Sequence, residues 1–264
     1  MTRRDNQKDR QKDRRHFYPK EQQRPRGSDG LWLYGIHAVT TALANPRRKV
    51  LRAVLTERAA QEVGAKLLGR VKHEIADMNA IARLLPDGAV HQGAALQCEK
   101  LPKLDLEDVL SMPSGKRRIV VVLDQISDPH NEGAILRSAA AFGASAVVVQ
   151  DRHAPPESGV LAKAASGALD TVPYVEVVNI SRALEDLGRL GFWRIALAGD
   201  GEQALAEAAA PGDIALVLGS EGSGIRRLVR EHCDVSAFIP IDQKTESLNV
   251  SNAAAVALYE LRRG

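Results

Sequence analysis

Three groups of polar residues in this 264-residue chain have types and spacings suited to chemistry. The first is Asp124-Gln-Ile-Ser-Asp-Pro-His-Asn131-Glu-Gly-Ala-Ile-Leu-Arg137, which reads as a strand end, a turn at Asp128-Pro129 and a helix predicted to open near Asn131. Asn is a favoured helix cap. At about 100° per residue Ile135, Ala139 and Phe142 share one helix face, and Arg137 points away from it with only Gly133 one turn below. Arg137 is then either a solvated helix residue or a planar donor with room for a phosphate or a developing oxyanion. The second group is Ile214-Ala-Leu-Val-Leu-Gly219-Ser-Glu221-Gly-Ser-Gly224-Ile225, a wholly apolar strand running into a loop of Gly, Ser and Glu. Its glycines either admit a ligand to the backbone or serve a tight turn. The third is Ile239-Pro240 followed by Ser247-Leu248-Asn249-Val250-Ser251, ahead of an Ala-rich last helix that Ser247 or Asn249 would cap.

The elements that must position these groups form an alternating pattern. Apolar runs at Ile119–Asp124, Ala146–Gln150, Val172–Val175, Trp193–Leu197, Ile214–Leu218 and Ser236–Ile239 are separated by helical stretches. Such alternation predicts an α/β fold with a mostly parallel sheet, whose ligands gather outside the carboxyl ends of the strands. There the chain places Asp124, Asp151, Gly199-Asp200, Gly219-Ser220-Glu221 and Pro240. No GxGxxG follows the first of these strands, and Gly219–Gly224 has the wrong glycine spacing, so a dinucleotide fold is disfavoured. Upstream, a strand at Val50–Leu55, helices over about 57–71 and from Met78 to Leu85, and a strand at Ala94–Cys98 predict a small α/β domain. The expected division is a disordered basic tail over 1–30, the small domain over 31–98, a polar linker with one short helix over 99–118, and the large domain over 119–264.

Composition narrows the class. Hydrophobic residues make up 44% of the chain, enough for a large core, yet no run reaches the roughly 18 apolar residues of a membrane span. With charges where a signal peptide has its apolar segment, the chain is expected in the cytoplasm. Cys98 and Cys233 lack CxxC spacing, so neither a disulfide framework nor a metal site is expected. His37, His73 and His91 are scattered and read as structural or surface residues. Residues 1–26 carry ten Lys/Arg against four acids, leaving the remainder at net −3 within a total of +3. With Phe17 and Tyr18 as its large apolar groups, this segment is either an arm for nucleic-acid phosphates and bases or a solvating tail.

Together the three groups resemble the SpoU/TrmH family of RNA ribose 2′-O-methyltransferases, within the knotted SPOUT superfamily. The family's Asn, Gly and Arg on one helix match Asn131, Gly133 and Arg137. Its Gly-x-Glu-Gly-x-Gly loop matches Gly219–Gly224, and its Ile-Pro with Ser-Leu-Asn-Val-Ser matches Ile239-Pro240 and Ser247–Ser251. Asp128-Pro-His-Asn131, Lys163-Ala-Ala-Ser-Gly-Ala168 and Gly35-Ile36-His37 extend the resemblance to the branch that methylates a guanosine ribose in large-subunit ribosomal RNA. Asp242-Gln243-Lys244, where a glycine-containing loop is common, and Asn252, where a small apolar residue is usual, depart from the pattern.

The resemblance implies a trefoil-knotted methyltransferase domain that binds S-adenosylmethionine, works as a homodimer, and is preceded by a small RNA-binding domain. Backbone around Gly199, Gly219, Ile239 and Leu248 would hold the cofactor. Arg137 would hold a phosphate and the nascent oxyanion, while Asn131, Glu221, Ser247 and Asn249 would fix the ribose and orient Arg137. Guanidinium stays protonated, so the role expected of Arg137 is electrostatic. A methyltransferase acting on tRNA and a non-catalytic RNA-binding homologue are the alternatives, and the Gly35-Ile36-His37 module favours ribosomal RNA over tRNA.

Overall fold

The computed structural model describes residues 30–111, 116–242 and 244–263. The basic segment over 1–26 and part of the linker lie outside them. The amino-terminal part runs β1 (Leu31–Tyr34), α1 (Ile36–Ala44), β2 (Val50–Leu55), α2 (Glu57–Val63), α3 (Ala65–Leu68), β3 (His73–Ile75), α4 (Met78–Ala82) and β4 (Ala94–Cys98). These strands make a four-stranded sheet in the order β1-β4-β2-β3, with β4 antiparallel to both neighbours and β2 parallel to β3. The helix predicted over 57–71 is two helices. Gly64, at φ 90°, stops α2 and turns the chain into α3, a conformation that costs glycine little.

The rest runs α5 (Leu106–Ser111), β5 (Ile119–Asp124), α6 (Pro129–Ala141), β6 (Ala146–Gln150), α7 (Gly159–Ala165), β7 (Tyr174–Val177), α8 (Ile180–Arg189), β8 (Trp193–Leu197), β9 (Gln203–Ala204), α9 (Leu205–Ala208), β10 (Ile214–Gly219), α10 (Arg227–Arg230), β11 (Val235–Phe238) and α11 (Val250–Arg263). Seven strands form one sheet in the order β7-β6-β5-β10-β8-β11-β9, each pair parallel. A sheet covered on both faces needs apolar residues at every strand position, and β5 is buried along its whole length. Each fully buried Val, Leu or Ile contributes about 1.5–3 kcal/mol of transfer free energy. Alternate residues of β5 enter two different cores. Ile119, Val121 and Leu123 pack with α6 and α11, whereas Val120 and Val122 pack with α8.

Consequently α6 and α11 lie on one face of the sheet, and α8 lies on the other. The carboxyl ends of β5, β10, β8 and β11 share an edge, and Asp124 stands in register beside Gly219. The motif-bearing segments leave the sheet from this edge.

Candidate active site

Helix α6 begins earlier than predicted. Asp128 caps it, accepting the His130 amide at 3.0 Å, and Pro129 occupies its first turn, where a missing N–H costs nothing. Asn131 is thereby released from the capping duty predicted for it. Its amide Nδ2 donates to Glu221 Oε1 at 3.1 Å, and its Oδ1 accepts from Asn249 Nδ2 at 3.0 Å. Asn249 Nδ2 also donates to Glu221 Oε1. The three motifs therefore meet in a closed ring of side chains. Asn249 has a second task, because its Oδ1 accepts the Ser251 amide at 2.9 Å and the Ser251 hydroxyl at 2.6 Å at the start of α11.

The loop that delivers Glu221 is closed upon itself. Gly224 N donates to Ser220 O at 2.9 Å, and the Ser220 and Ser223 hydroxyls are 2.6 Å apart. A Cβ on Gly219 would stand 2.1 Å from the Gly224 carbonyl carbon, so glycine is required there by close approach. The exit of the loop is pinned to the sheet by Asp124, which is fully buried. One Asp124 oxygen accepts the Arg226 amide at 2.8 Å and the other accepts Arg226 Nε at 2.8 Å, while Arg226 Nη2 reaches Gln150 Oε1 at 2.9 Å. Asp124 was visible in the sequence as a strand-end acid, but nothing in the spacing pointed to Arg226.

Gly199 and Ile239 follow the ends of β8 and β11, the next two strands along the same edge from Gly219. A side chain on Gly199 would meet open space, whereas Gly201 is pressed on the Ala237 backbone and Gly201 N donates to Ala198 O at 3.1 Å. Arg230 beside Asp200 fastens this turn at 2.8 Å and holds the Asp200 carboxyl below its ordinary range. The edge thus carries glycine at the ends of two adjacent strands, β10 and β8, and Ile239-Pro240 at the end of the third, β11. Leu248 is partly buried just ahead of α11.

Two predicted site residues stand apart from the ring. Ser247 is exposed and its hydroxyl makes no hydrogen bond among the described residues. Arg137 is also exposed, with no hydrogen bond or ion pair among the described residues, and Glu221 does not support it as predicted. Six residues of helix separate Arg137 from Asn131 by about 120° in azimuth and about 9 Å along the axis. Nor does Gly133 leave room beside Arg137. It is buried, and a Cβ there would meet the Ala164 Cβ at 2.4 Å, so this glycine permits α6 and α7 to touch.

Next to Asn131 on α6, and turned towards β7, is a group that the sequence reading did not single out. Glu132 is fully buried on α6, its Oε1 accepts the Tyr174 hydroxyl at 2.6 Å, and its Oε2 has no hydrogen-bond partner among the described residues. Burial pushes its carboxyl up to about 8 against the opposing Tyr174 bond, with the nearby Glu176 charge adding to the rise. A Glu in step with Ile135, Leu136 and Ala139 was the available signal. Both thiols are inert by the same cause, since burial lifts Cys98 and Cys233 to about 12.

Residues 118–259 match the model of the SpoU rRNA methylase family, more than half of the chain. The chain belongs to the SpoU rRNA methylase family. Residues 32–104 match a second model, the RNA 2′-O ribose methyltransferase substrate-binding domain. A Coxiella burnetii relative of this SpoU methylase, named 23S rRNA (guanosine-2′-O-)-methyltransferase RlmB, is 40% identical over 88% of the chain and 94% of its own length. A Xylella fastidiosa relative of the same name is 38% identical over 88% and 96%. Among solved structures, an RNA 2′-O ribose methyltransferase superposes with a TM-score of 0.71 at 25% identity, covering 88% of this chain and 87% of its own. The fold is also that of the SpoU methyltransferase AviRb from Streptomyces viridochromogenes, solved with AdoMet, at a TM-score of 0.74, 22% identity and 89% coverage of both chains.

Proposed function

We propose that this SpoU methylase transfers a methyl group from S-adenosylmethionine to the ribose 2′-hydroxyl of a guanosine in 23S ribosomal RNA. The observation that carries the reading is similarity to enzymes of that name across both the small and the large domain, at 40% identity in the Coxiella case. The strand edge offers the cofactor room at Gly199, which has free space above it, while Gly219 at the neighbouring strand end lets the Gly224–Ile225 backbone close against it and so sets the shape of the loop. Gly199, Gly219, Ile239 and Leu248 would hold S-adenosylmethionine through backbone groups. When bound, it supplies an electrophilic methyl group.

The chain's own residues must orient the ribose and stabilise charge as its hydroxyl loses a proton. Arg137, always charged and free of protein partners among the described residues, holds the adjacent phosphate and the nascent oxyanion. The Asn131–Glu221–Asn249 ring fixes the floor against which the ribose is placed, and Ser247 offers a further hydroxyl. The distance between Arg137 and the ring is reconciled if each site is completed by a second copy of the chain. Exposed Val256 and Tyr259 on α11, the latter edge-to-face with Phe142 at 6.1 Å, support a homodimer. The reading includes the trefoil knot, the small domain over 31–98 as RNA holder, the linker over 99–118, the methyltransferase domain over 119–264, the basic segment as an added RNA arm, and cytoplasmic residence. Among the described residues no helix is long and apolar enough to cross a membrane.

The test is ribose-methylation mapping of total RNA with and without the gene. Loss of one 23S guanosine mark is expected, and an unchanged map would refute the reading.

A further inference from the structure

Formal charge is distributed unevenly along this chain. The small domain, residues 31–98, has nine Lys/Arg against five Asp/Glu, whereas residues 119–264 have 12 Lys/Arg against 19 Asp/Glu. A polyanion is attracted to the first and repelled by most of the second. RNA held by the small domain must therefore be presented to Arg137, and the join between the domains governs where its ribose falls.

That join is a packed seam. Arg48 follows α1, and its side chain is wholly buried against the methyltransferase domain. Its Nε and Nη2 grip both oxygens of Asp170 at 2.9 and 3.0 Å, and Nη1 reaches Glu157. Asn45 Nδ2 adds a bond to Asp170 at 2.9 Å, and Glu157 Oε2 takes the Leu101 amide at 3.0 Å. Planar bidentate pairing of this kind fixes direction as well as distance. Around it, glycines admit atoms of the opposite domain. A Cβ on Gly35 would stand 2.6 Å from Lys163 Nζ, one on Gly167 would stand 2.4 Å from Thr41 Oγ1, and one on Gly159 would stand 2.5 Å from the Trp32 carbonyl oxygen. Lys163 then donates to Gln92 Oε1, and Gln92 holds a left-handed backbone at φ 55°.

We infer that Arg48, Asp170 and Lys163 are specificity-determining residues: they fasten the RNA-holding domain to the methyltransferase domain as a rigid calliper, so that only a ribose at one set distance from the held RNA reaches Arg137. The inference rests on the function proposed above. It gives Gly35-Ile36-His37 and Lys163–Ala168, motifs without catalytic groups, a shared purpose on the two sides of one seam.

The experiment uses the full-length chain, a 23S rRNA fragment, calorimetry with S-adenosylmethionine and mapping of every methylated ribose. Arg48→Ala and Lys163→Met should bind the cofactor within about threefold of wild type. Their kcat/KM at the native ribose should fall about tenfold or more, since misplacement near 1 Å costs up to about a hundredfold. Methyl groups should also appear on neighbouring riboses, and Arg48→Lys should restore part of the selectivity. Variants that bind the cofactor and methylate only the native ribose at wild-type kcat/KM would overturn the inference. Where Arg48→Ala fails to bind the cofactor, Lys163→Met and Gln92→Ala decide it by the same readout. A wild-type chain that methylates no ribose overturns the proposed function, and the inference with it.

Discussion

The amide of Asn131 donates to the carboxylate of Glu221 across 90 residues of chain. Both meet the Asn249 amide, so one carboxylate oxygen serves two donors. Glu221→Gln replaces that acceptor-only group by one that also carries donors. Losing a hydrogen bond to a charged group costs about 1.5–3 kcal/mol, so turnover is expected to fall about 10- to 100-fold. Single-turnover methylation assays measure the loss, and a turnover equal to wild type would show that the ring does not orient the site.

Arg137→Lys retains the charge but loses the planar fork that spans a phosphate and an oxyanion together. Turnover should drop by about a hundredfold, on the scale of one missing oxyanion donor, while cofactor affinity stays unchanged. Near-native turnover in this variant would show that a point charge is enough.

Gly133→Ala tests packing. A methyl group there meets the Ala164 Cβ at 2.4 Å and the Ala165 amide at 2.8 Å, both held by α7. Overpacking of this kind costs about 1–3 kcal/mol, expected as a Tm several degrees lower, with cofactor binding impaired as α6 shifts.

Three members of the candidate site, Asn131, Glu221 and Asn249, were legible in the sequence because they lie in short local patterns that constrain backbone and chemistry together. Apolar runs also located six of the strands in the large sheet. The two-residue β9 escaped, since Gln203-Ala204 has no periodic pattern and owes its state to pairing with β11. Asn131 was assigned a cap that Asp128 supplies, three residues earlier, because Asx caps at both positions are locally plausible. The Asp124–Arg226 and Arg48–Asp170 pairs were illegible for another reason. They join residues more than 100 positions apart, and side-chain pairing at that range follows from topology rather than from spacing.

Glu132 provides a test by pH. Burial pushes its carboxyl up to about 8 in the folded chain, from an ordinary value of 4.5. The contribution to stability is complete below about pH 4.5 and is lost progressively as pH rises through about 8, because the unfolded chain releases the proton first. Glu132→Gln has no proton to lose. Between pH 5 and pH 8 its stability relative to wild type should improve by on the order of 3 kcal/mol, measured by urea unfolding at each pH. A pH-independent difference would show that Glu132 is ionised in the native protein.

Asn249 joins the start of the last helix to the site by one side chain, its oxygen holding Ser251 and its nitrogen holding Glu221 and Asn131. Helix docking and site assembly are therefore one event. A growing chain that stops short of residue 249 already carries Asn131, Arg137 and Glu221 but has no ring. On the proposed reading of the ring, catalytic competence arises in a single late step of synthesis, and fraying at the start of the carboxyl-terminal helix removes the floor of the site.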